Sequence, residues 1–251
     1  STLALGIDRL KRIQDTCQCP VGLENLAFSY SLEEVKQHGE FLEALIEPIN
    51  GFIILDLHNL YCQLHNFSLD AAELLPLYPL HRVREIHISG GSWEQTRLEP
   101  QRTIRRDTHD DAVPEAVFEL LQLIIPRCPN LKFVVLEQLG TALDNSQQQQ
   151  QFQADFTRMK SIVSTFNTAG SINNFLPSSP LMLNPEVVED MLLASQQQEL
   201  SAILENATNY ENAVALLSQS SLAHSDWNVE EWSPYMLETA MRIAQKWKHG
   251  W

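Results

Sequence analysis

The chain has 251 residues, 44% of them hydrophobic and 20% charged, enough for one sizeable core or for a domain with a smaller annex. Its 32 acidic against 17 basic residues give a formal net charge of −15, which argues against a nucleic-acid or anionic-membrane surface and suits a site that gathers cations. Cys17, Cys19, Cys62 and Cys128 lack metal or redox spacing, and no apolar run approaches about 18 residues, so a cytoplasmic protein with reduced thiols is expected. Ser1-Thr-Leu is not a natural start, and an upstream segment is expected.

Apolar residues at Leu3, Ile7, Leu10 and Ile13 predict an amphipathic helix over residues 3–16. Residues 20–26 read as a short strand ending in Glu24 and Asn25, where a turn is the plainer alternative. Ser31, with Glu34 in the capping-box position, opens a helix that runs to about Ile46. The continuous apolar run Phe52-Ile-Ile-Leu55 predicts a strand covered on both faces, as in a parallel sheet with helices outside. At its C-terminal end come Asp56, His58 and Asn59; Asp56 reads equally well as an active-site carboxylate or as the cap of the next helix.

Ser68 begins a short capped helix, and residues 83–91 form a strand running into the Gly90-Gly91 turn, with His87 near its end. Residues 92–111 are expected to be a long polar loop, closing on Asp107-Thr-His109-Asp-Asp111, with Asp107 and His109 on one side of an extended segment. Pro114 opens a helix to Ile125, and residues 131–137 form a strand ending in Glu137. After Gly140 the glutamine run 147–151 marks a linker or a frayed helix start, 152–166 has helical periodicity, and 168–185 should be a loop. Residues 185–217 and 232–247 read as helices whose Trp and Met residues are core.

Strand and helix alternate with strand ends near 24, 56, 87 and 137, which predicts an α/β fold with a parallel sheet. A closed (β/α)8 TIM barrel has eight strands, so residues 1–140 read as the second half of such a barrel and 141–251 as a helical C-terminal extension. In that arrangement Glu24, Asp56, Asn59, His87, Asp107, His109 and Glu137 share one mouth. Carboxylates gathered there repel unless a cation neutralises them, and a carboxylate–imidazole set without thiolates suits iron, manganese or a mixed zinc site. Taken singly, each residue has a plain structural role; the coincidence at four strand ends is the signal. His38, His65, His81, His224 and His249 have no converging partners and are left as surface or core.

Glu24-Asn-Leu26, Leu55-Asp-Leu-His-Asn-Leu-Tyr61, Glu85-Ile-His-Ile-Ser-Gly90, Asp107-Thr-His-Asp110 and the strand-terminal Glu137 come in an order that resembles the multinuclear non-heme iron-dependent oxidases, relatives of the methanobactin-biosynthesis B subunit with a xylose-isomerase-like TIM barrel. The likeness covers about residues 1–140. It implies that Glu24, Asp56, His87, Asp107, His109 and Glu137 are iron ligands, with Asn59 an additional one. It further implies on the order of two or three iron ions, use of O₂ to modify cysteines of a ribosomally made peptide, and a partner protein that presents the peptide. The chain departs from the pattern at His58, where the family usually has asparagine, at Gly91, often histidine, and at Gln138-Leu139, commonly Trp-Asp. The family's N-terminal strands and their two further histidine ligands have no counterpart here, so the N-terminal half is expected to be missing from this sequence, to be a separate chain, or to have been lost with loss of activity. A divalent-metal isomerase or phosphoesterase of the same superfamily, and a non-catalytic half-barrel that binds a protein partner, are the alternatives.

Overall fold

A computed structural model describes residues 1–166, 173–177, 183 and 186–248; His249, Met182 and Trp251 lie outside the described residues, as does most of the expected 168–185 loop. Chain contacts divide it into two units: residues 1–28, 36–94 and 104–185 form one, and 29–35, 95–103 and 186–251 the other.

The first unit opens on α1 (Thr2–Cys17), which ends at Gln18 in the left-handed region. Then come β1 (Gly22–Glu24), α2 (Leu32–Ile46, its first turn in the other unit), β2 (Phe52–Asp56), α3 (Leu57–Phe67), α4 (Ala71–Leu74) and β3 (Val83–Ile88). Ser68 does not open a helix as expected; it closes α3 in a left-handed conformation, and Asp70 stands at the start of α4. The segment expected to be a plain loop carries two short paired strands, β4 (Trp93–Gln95) and β5 (Thr103–Arg105). After α5 (Glu115–Ile124) and β6 (Phe133–Leu136), the glutamine run lies inside a regular helix, α6 (Ser146–Thr165). It does not fray, because Asn145 and Gln148 form a reciprocal capping box at its start.

The sheet has the order β1-β2-β3-β6, every pair parallel. Its two faces differ. Ile53, Leu55, Ile86 and Ile88 are buried beneath the helices, with Leu57 and Leu60 of α3 and Val117, Phe118 and Leu121 of α5 completing the core. The opposite face is less covered than the continuous apolar run suggested: Phe52 and Ile54 are only half-buried, and Phe133 is exposed. Phe175, fully buried, sits against Phe52 with ring centroids 6.1 Å apart.

Two local devices set the tops of the strands. The register of β2 against β3 shifts between Ile53 and Ile54: Ile53 pairs with Val83 but Ile54 pairs with Glu85, so Arg84 is the extra residue and Asp56 comes level with His87. Beside them Asn25 acts as a surrogate strand residue. Its side-chain Oδ1 accepts from the Asp56 N–H at 2.7 Å, and its Nδ2 donates to the Asp56 carbonyl at 3.0 Å.

In the second unit the stretch expected as one helix from 185 to 217 is two, α7 (Met191–Asn206) and α8 (Tyr210–Ser218). The break comes at Ala207, whose backbone is extended, and at Asn209, whose side chain caps α8 through the Asn212 N–H at 2.8 Å. With α9 (Pro234–Lys248) they bury Leu200, Ile203, Leu217, Met236 and Leu237. Trp232 stacks on Tyr30 at 3.8 Å and is buried, whereas Met191 (71%) and Trp247 (59%) are exposed, against the expectation that the Trp and Met residues are core. Glu238, buried, accepts from the backbone N–H groups of Arg97 and Leu98.

Removing the Asn25 side chain would leave the buried Asp56 N–H without a partner and take one donor from its carbonyl. Asn25→Ala is therefore expected to lower unfolding stability by about 2–4 kcal/mol in urea titrations; a loss under about 1 kcal/mol would mean water replaces the carboxamide and the brace is dispensable.

Candidate metal centre

The parallel strands deliver Glu24, Asp56, His87 and Glu137 to one end of the sheet, and the segment after β5 brings Asp107 and His109 to the same place. Asn59 arrives from the first turn of α3. All seven side chains singled out in the sequence gather here. One ligand atom each from Glu24, Asp56 and His87 lie within 4.8 Å of one another, and so do one each from Asp56, His109 and Glu137. Asp56 belongs to both groups.

Asp56 has both of the roles that the sequence left open. One carboxylate oxygen, Oδ1, accepts from the Asn59 N–H at 2.6 Å and caps α3. The other, Oδ2, is buried and has no hydrogen-bond partner. Asn59 repeats the pattern: its Nδ2 donates to Glu24 Oε1 at 3.1 Å and to the Asn25 carbonyl at 2.8 Å, while its Oδ1 is buried and unpartnered.

His87 is oriented by a residue that the sequence reading did not single out for this role. Glu85, two positions earlier on the same face of β3, holds His87 Nε2 at 2.7 Å. The other nitrogen, Nδ1, lies 3.2 Å from Glu137 Oε1 and 3.9 Å from Glu24 Oε2, near enough for charge attraction but off the line of a hydrogen bond. A carboxylate on one imidazole nitrogen and an unpartnered second nitrogen facing acids is how a metal-binding histidine is prepared.

Asp107 and His109 do not lie along an extended segment as expected. His109 has φ 53, a left-handed conformation, and the turn brings its Nε2 to 2.9 Å from Asp107 Oδ1. The Leu139 N–H donates to the His109 carbonyl at 2.9 Å, tying this turn to the residues after β6, and His109 Nδ1 stands 3.8 Å from Glu137 Oε2. His58 is fully buried and holds Asp107 Oδ1 through Nδ1 at 2.9 Å. Its Nε2 accepts from Arg105 Nε at 3.0 Å, so both of its ring nitrogens are occupied. Of the supporting residues, Glu85 had a legible signal in Glu-x-His on a strand; Arg105 had none.

The electrostatics follow from crowding. Burial pushes the Asp56 carboxyl up to about 7, and the charges of Asp107 and Glu24 add to it, against the Asn59 N–H. Burial likewise raises Glu24, with Glu137 and Asp107 adding and His87 opposing. Burial would raise Asp107 too, but hydrogen bonds from His109 and His58 outweigh it and hold Asp107 well below the usual carboxylate range. His109 is raised to about 9, chiefly by its hydrogen bond to Asp107. His58 is pushed down by burial and stays neutral, in keeping with one donor and one acceptor nitrogen.

The unpartnered buried atoms test whether these residues fit a cation. Asp56 Oδ2, Asn59 Oδ1 and His87 Nδ1 are all electron-pair donors left without a proton donor in a buried site, each ordinarily costly. A divalent ion held among Glu24, Asp56 and His87, whose ligand atoms lie within 4.8 Å of one another, would satisfy such donors, and the oxygen-plus-imidazole set suits iron, manganese or zinc. A cavity of about 360 Å³ is lined, among others, by Asp110, Gln138, Gln148, Gln151 and Asp155. Asp110 follows His109 in the chain, and Gln138 follows Glu137.

Comparison with known proteins gives a family-model match, described as RiPP precursor modification enzyme MbnB/TglH/ChrH, over residues 1–162. Among curated proteins, a UPF0276 protein of Shewanella loihica is 29% identical over 115 residues, covering 46% of this chain and 39% of its own. A UPF0276 protein of Paraburkholderia phytofirmans is 30% identical over 132 residues, 51% and 41% of the two chains. One from Pseudomonas aeruginosa is 27% identical over 114 residues, 45% and 38%. The chain thus spans about two fifths of the length of the curated relatives it matches.

The raised Asp56 carboxyl makes a test in metal-free protein. Between about pH 4 and pH 7 the folded state holds a proton that the unfolded chain has released, so this contribution to stability is full below pH 4 and is lost as pH rises through 7. Asp56→Asn keeps the cap acceptor and removes the charge. Relative to the wild type, the metal-free variant is expected to gain on the order of 2 kcal/mol between pH 5 and pH 7.5 in denaturation experiments; parallel pH profiles would show that Asp56 is not strained by burial.

Proposed function

The chain belongs to the RiPP precursor modification enzyme family MbnB/TglH/ChrH, and on that premise we propose that it carries the metal centre of an enzyme that modifies cysteine residues of a ribosomally synthesised peptide with O₂. The observation that carries the proposal is that ligand atoms of Glu24, Asp56 and His87, and of Asp56, His109 and Glu137, each gather within 4.8 Å, while Asp56 Oδ2 and His87 Nδ1 are buried and unpartnered. Glu24, Asp56 and His87 would hold one ion and Asp56, His109 and Glu137 a second, with Asp107 and Asn59 as further ligands. Iron is the proposed metal, with manganese or zinc as the alternative. When bound, iron supplies one-electron chemistry with O₂ and a Lewis-acidic seat for a thiolate.

The chain's own residues contribute orientation and charge. Glu85 keeps the proton of His87 on Nε2, leaving Nδ1 open toward the centre. Asp107 stays ionised, whereas Asp56 and His109 must each give up a proton before they can ligate near neutral pH. The carboxamides of Gln138, Gln148 and Gln151, which can both donate and accept, line a cavity suited to peptide main chain. The four parallel strands are proposed to be part of a (β/α)8 barrel. In support, β1 and β6 each have a single sheet neighbour among the described residues, and one sheet face is only partly covered. A further half-barrel, or a partner that presents the peptide, would lie against those edges.

Anaerobic loading of the 251-residue chain with Fe(II), followed by desalting and metal analysis, is expected to retain about two irons per chain, and Asp56→Asn to retain less than half of that. Preference for a single zinc or magnesium ion would favour an isomerase-like or hydrolytic centre; no retained metal would remove the enzymatic reading. Exposure of the loaded chain and a cysteine-bearing peptide encoded beside it to air should then change the peptide's mass.

A further inference from the structure

Resting on the metal reading above, we propose that His58 is a positioning residue, which fixes the Asp107 carboxylate, and through it His109, in the orientation in which they meet a metal ion. His58 does not supply a ligand atom of its own. Arg105 Nε donates to its Nε2 at 3.0 Å, so the ring proton sits on Nδ1, and that N–H reaches Asp107 Oδ1 at 2.9 Å. Asp107 Oδ1 in turn lies 2.9 Å from His109 Nε2. The result is one chain of contacts, Arg105 to His58 to Asp107 to His109, running from buried structure into the cluster.

The inner end of that chain is fixed on every side. Arg105 is 3% exposed. Its N–H donates to Asn66 Oδ1 at 2.8 Å, and its carbonyl accepts from Asn66 Nδ2 at 3.1 Å, so α3 clamps its backbone. Its guanidinium lies over Trp93, 4.8 Å from the ring centroid, and near Tyr61 at 5.7 Å. The imidazole between Arg105 and Asp107 has no room to swing. A Cβ built on Gly91 would come within 2.8 Å of His58 Cε1 and 2.1 Å of the Arg106 carbonyl oxygen, so the ring packs against bare backbone there.

The outer end needs this anchor. Glu24, Asp56 and His87 stand on strands whose ladders set their positions, but Asp107 and His109 lie in irregular backbone with a left-handed residue. The bond from the Leu139 N–H ties the His109 carbonyl, and side-chain bonds add there what the ladder does elsewhere. Loss of such supporting partners ordinarily costs about 10–100-fold in metal affinity.

Two conservative variants separate positioning from general support of the fold. His58→Asn places a carboxamide nitrogen near the present Nδ1 and can still donate to Asp107. His58→Gln keeps a polar group near Arg105 and loses the donor to Asp107. With Co(II) as probe, read by its visible absorption and by competition with a chelator, His58→Gln is expected to lose about 10–100-fold in affinity and to change the spectrum. His58→Asn should stay within a few-fold of wild type. Thermal melts of the metal-free proteins report the fold separately. Equal affinities for the two variants, or losses that simply follow the melting temperatures, would overturn the positioning role while leaving the metal centre in place. Wild-type protein that binds no Co(II) would overturn the metal reading itself, and this inference with it.

Discussion

A buried carboxylate is stable only when its charge is spread over hydrogen bonds, cancelled by a cation, or removed by a proton. Asp56 meets that condition by halves. The α3 N-terminus takes one oxygen, and nothing among the described residues takes the other. The same side chain thus starts a helix and leaves a vacant electron pair at the mouth of the sheet, so helix and site cannot be varied independently. Asn25 holds the Asp56 backbone from the β1 side while His87 stands level with it on β3, which fixes the carboxylate in place. The rest of the cluster is arranged around that fixed point.

Around it the imidazoles are of three kinds, distinguished by what holds them. His87 has a carboxylate on one nitrogen and an open second nitrogen; His109 is paired with Asp107 and carries a proton in the metal-free state; His58 has both nitrogens filled and faces away from ligation. Proximity alone would count all three as candidate ligands. The hydrogen bonds tell them apart, and they imply that metal uptake releases protons, becoming stronger as pH rises toward neutrality.

Much of this was legible in the chain itself. The four strands, their parallel order and the polar residues at their ends follow from the alternation of apolar runs and helical periodicity, because a parallel sheet forces strand ends to converge. What was missed depended on contacts that no local pattern encodes. The β4–β5 pair hid in a polar stretch, since three-residue strands carry no period to read. The glutamine run reads as a linker or a frayed helix start because carboxamides have no apolar stripe, yet a capping box makes it the regular opening of α6. His58 and Gly91 lie far apart in sequence. In space they adjoin: the His58 ring lies where a side chain at position 91 would begin, so the bulk present at one position goes with its absence at the other.

The register shift on β3 bears on how this sheet tolerates changes in length. Arg84 is the extra residue there, half-buried and with a polar head, and by composition it is a position where a deletion should be harmless. Without it, the ladder that starts at Ile53 opposite Val83 would continue unbroken through Ile54 opposite Glu85, and Asp56 would still face His87. With Arg84 kept but drawn into the pairing, Ile86 would instead come level with the carboxylate, and the imidazole would turn toward the helices, because neighbouring residues on a strand point to opposite faces. The bulge therefore keeps the two halves of the centre in phase by leaving one residue out of the pairing: a length change at Arg84 is absorbed there, whereas one between Glu85 and His87 moves Asp56 and His87 out of step by one residue.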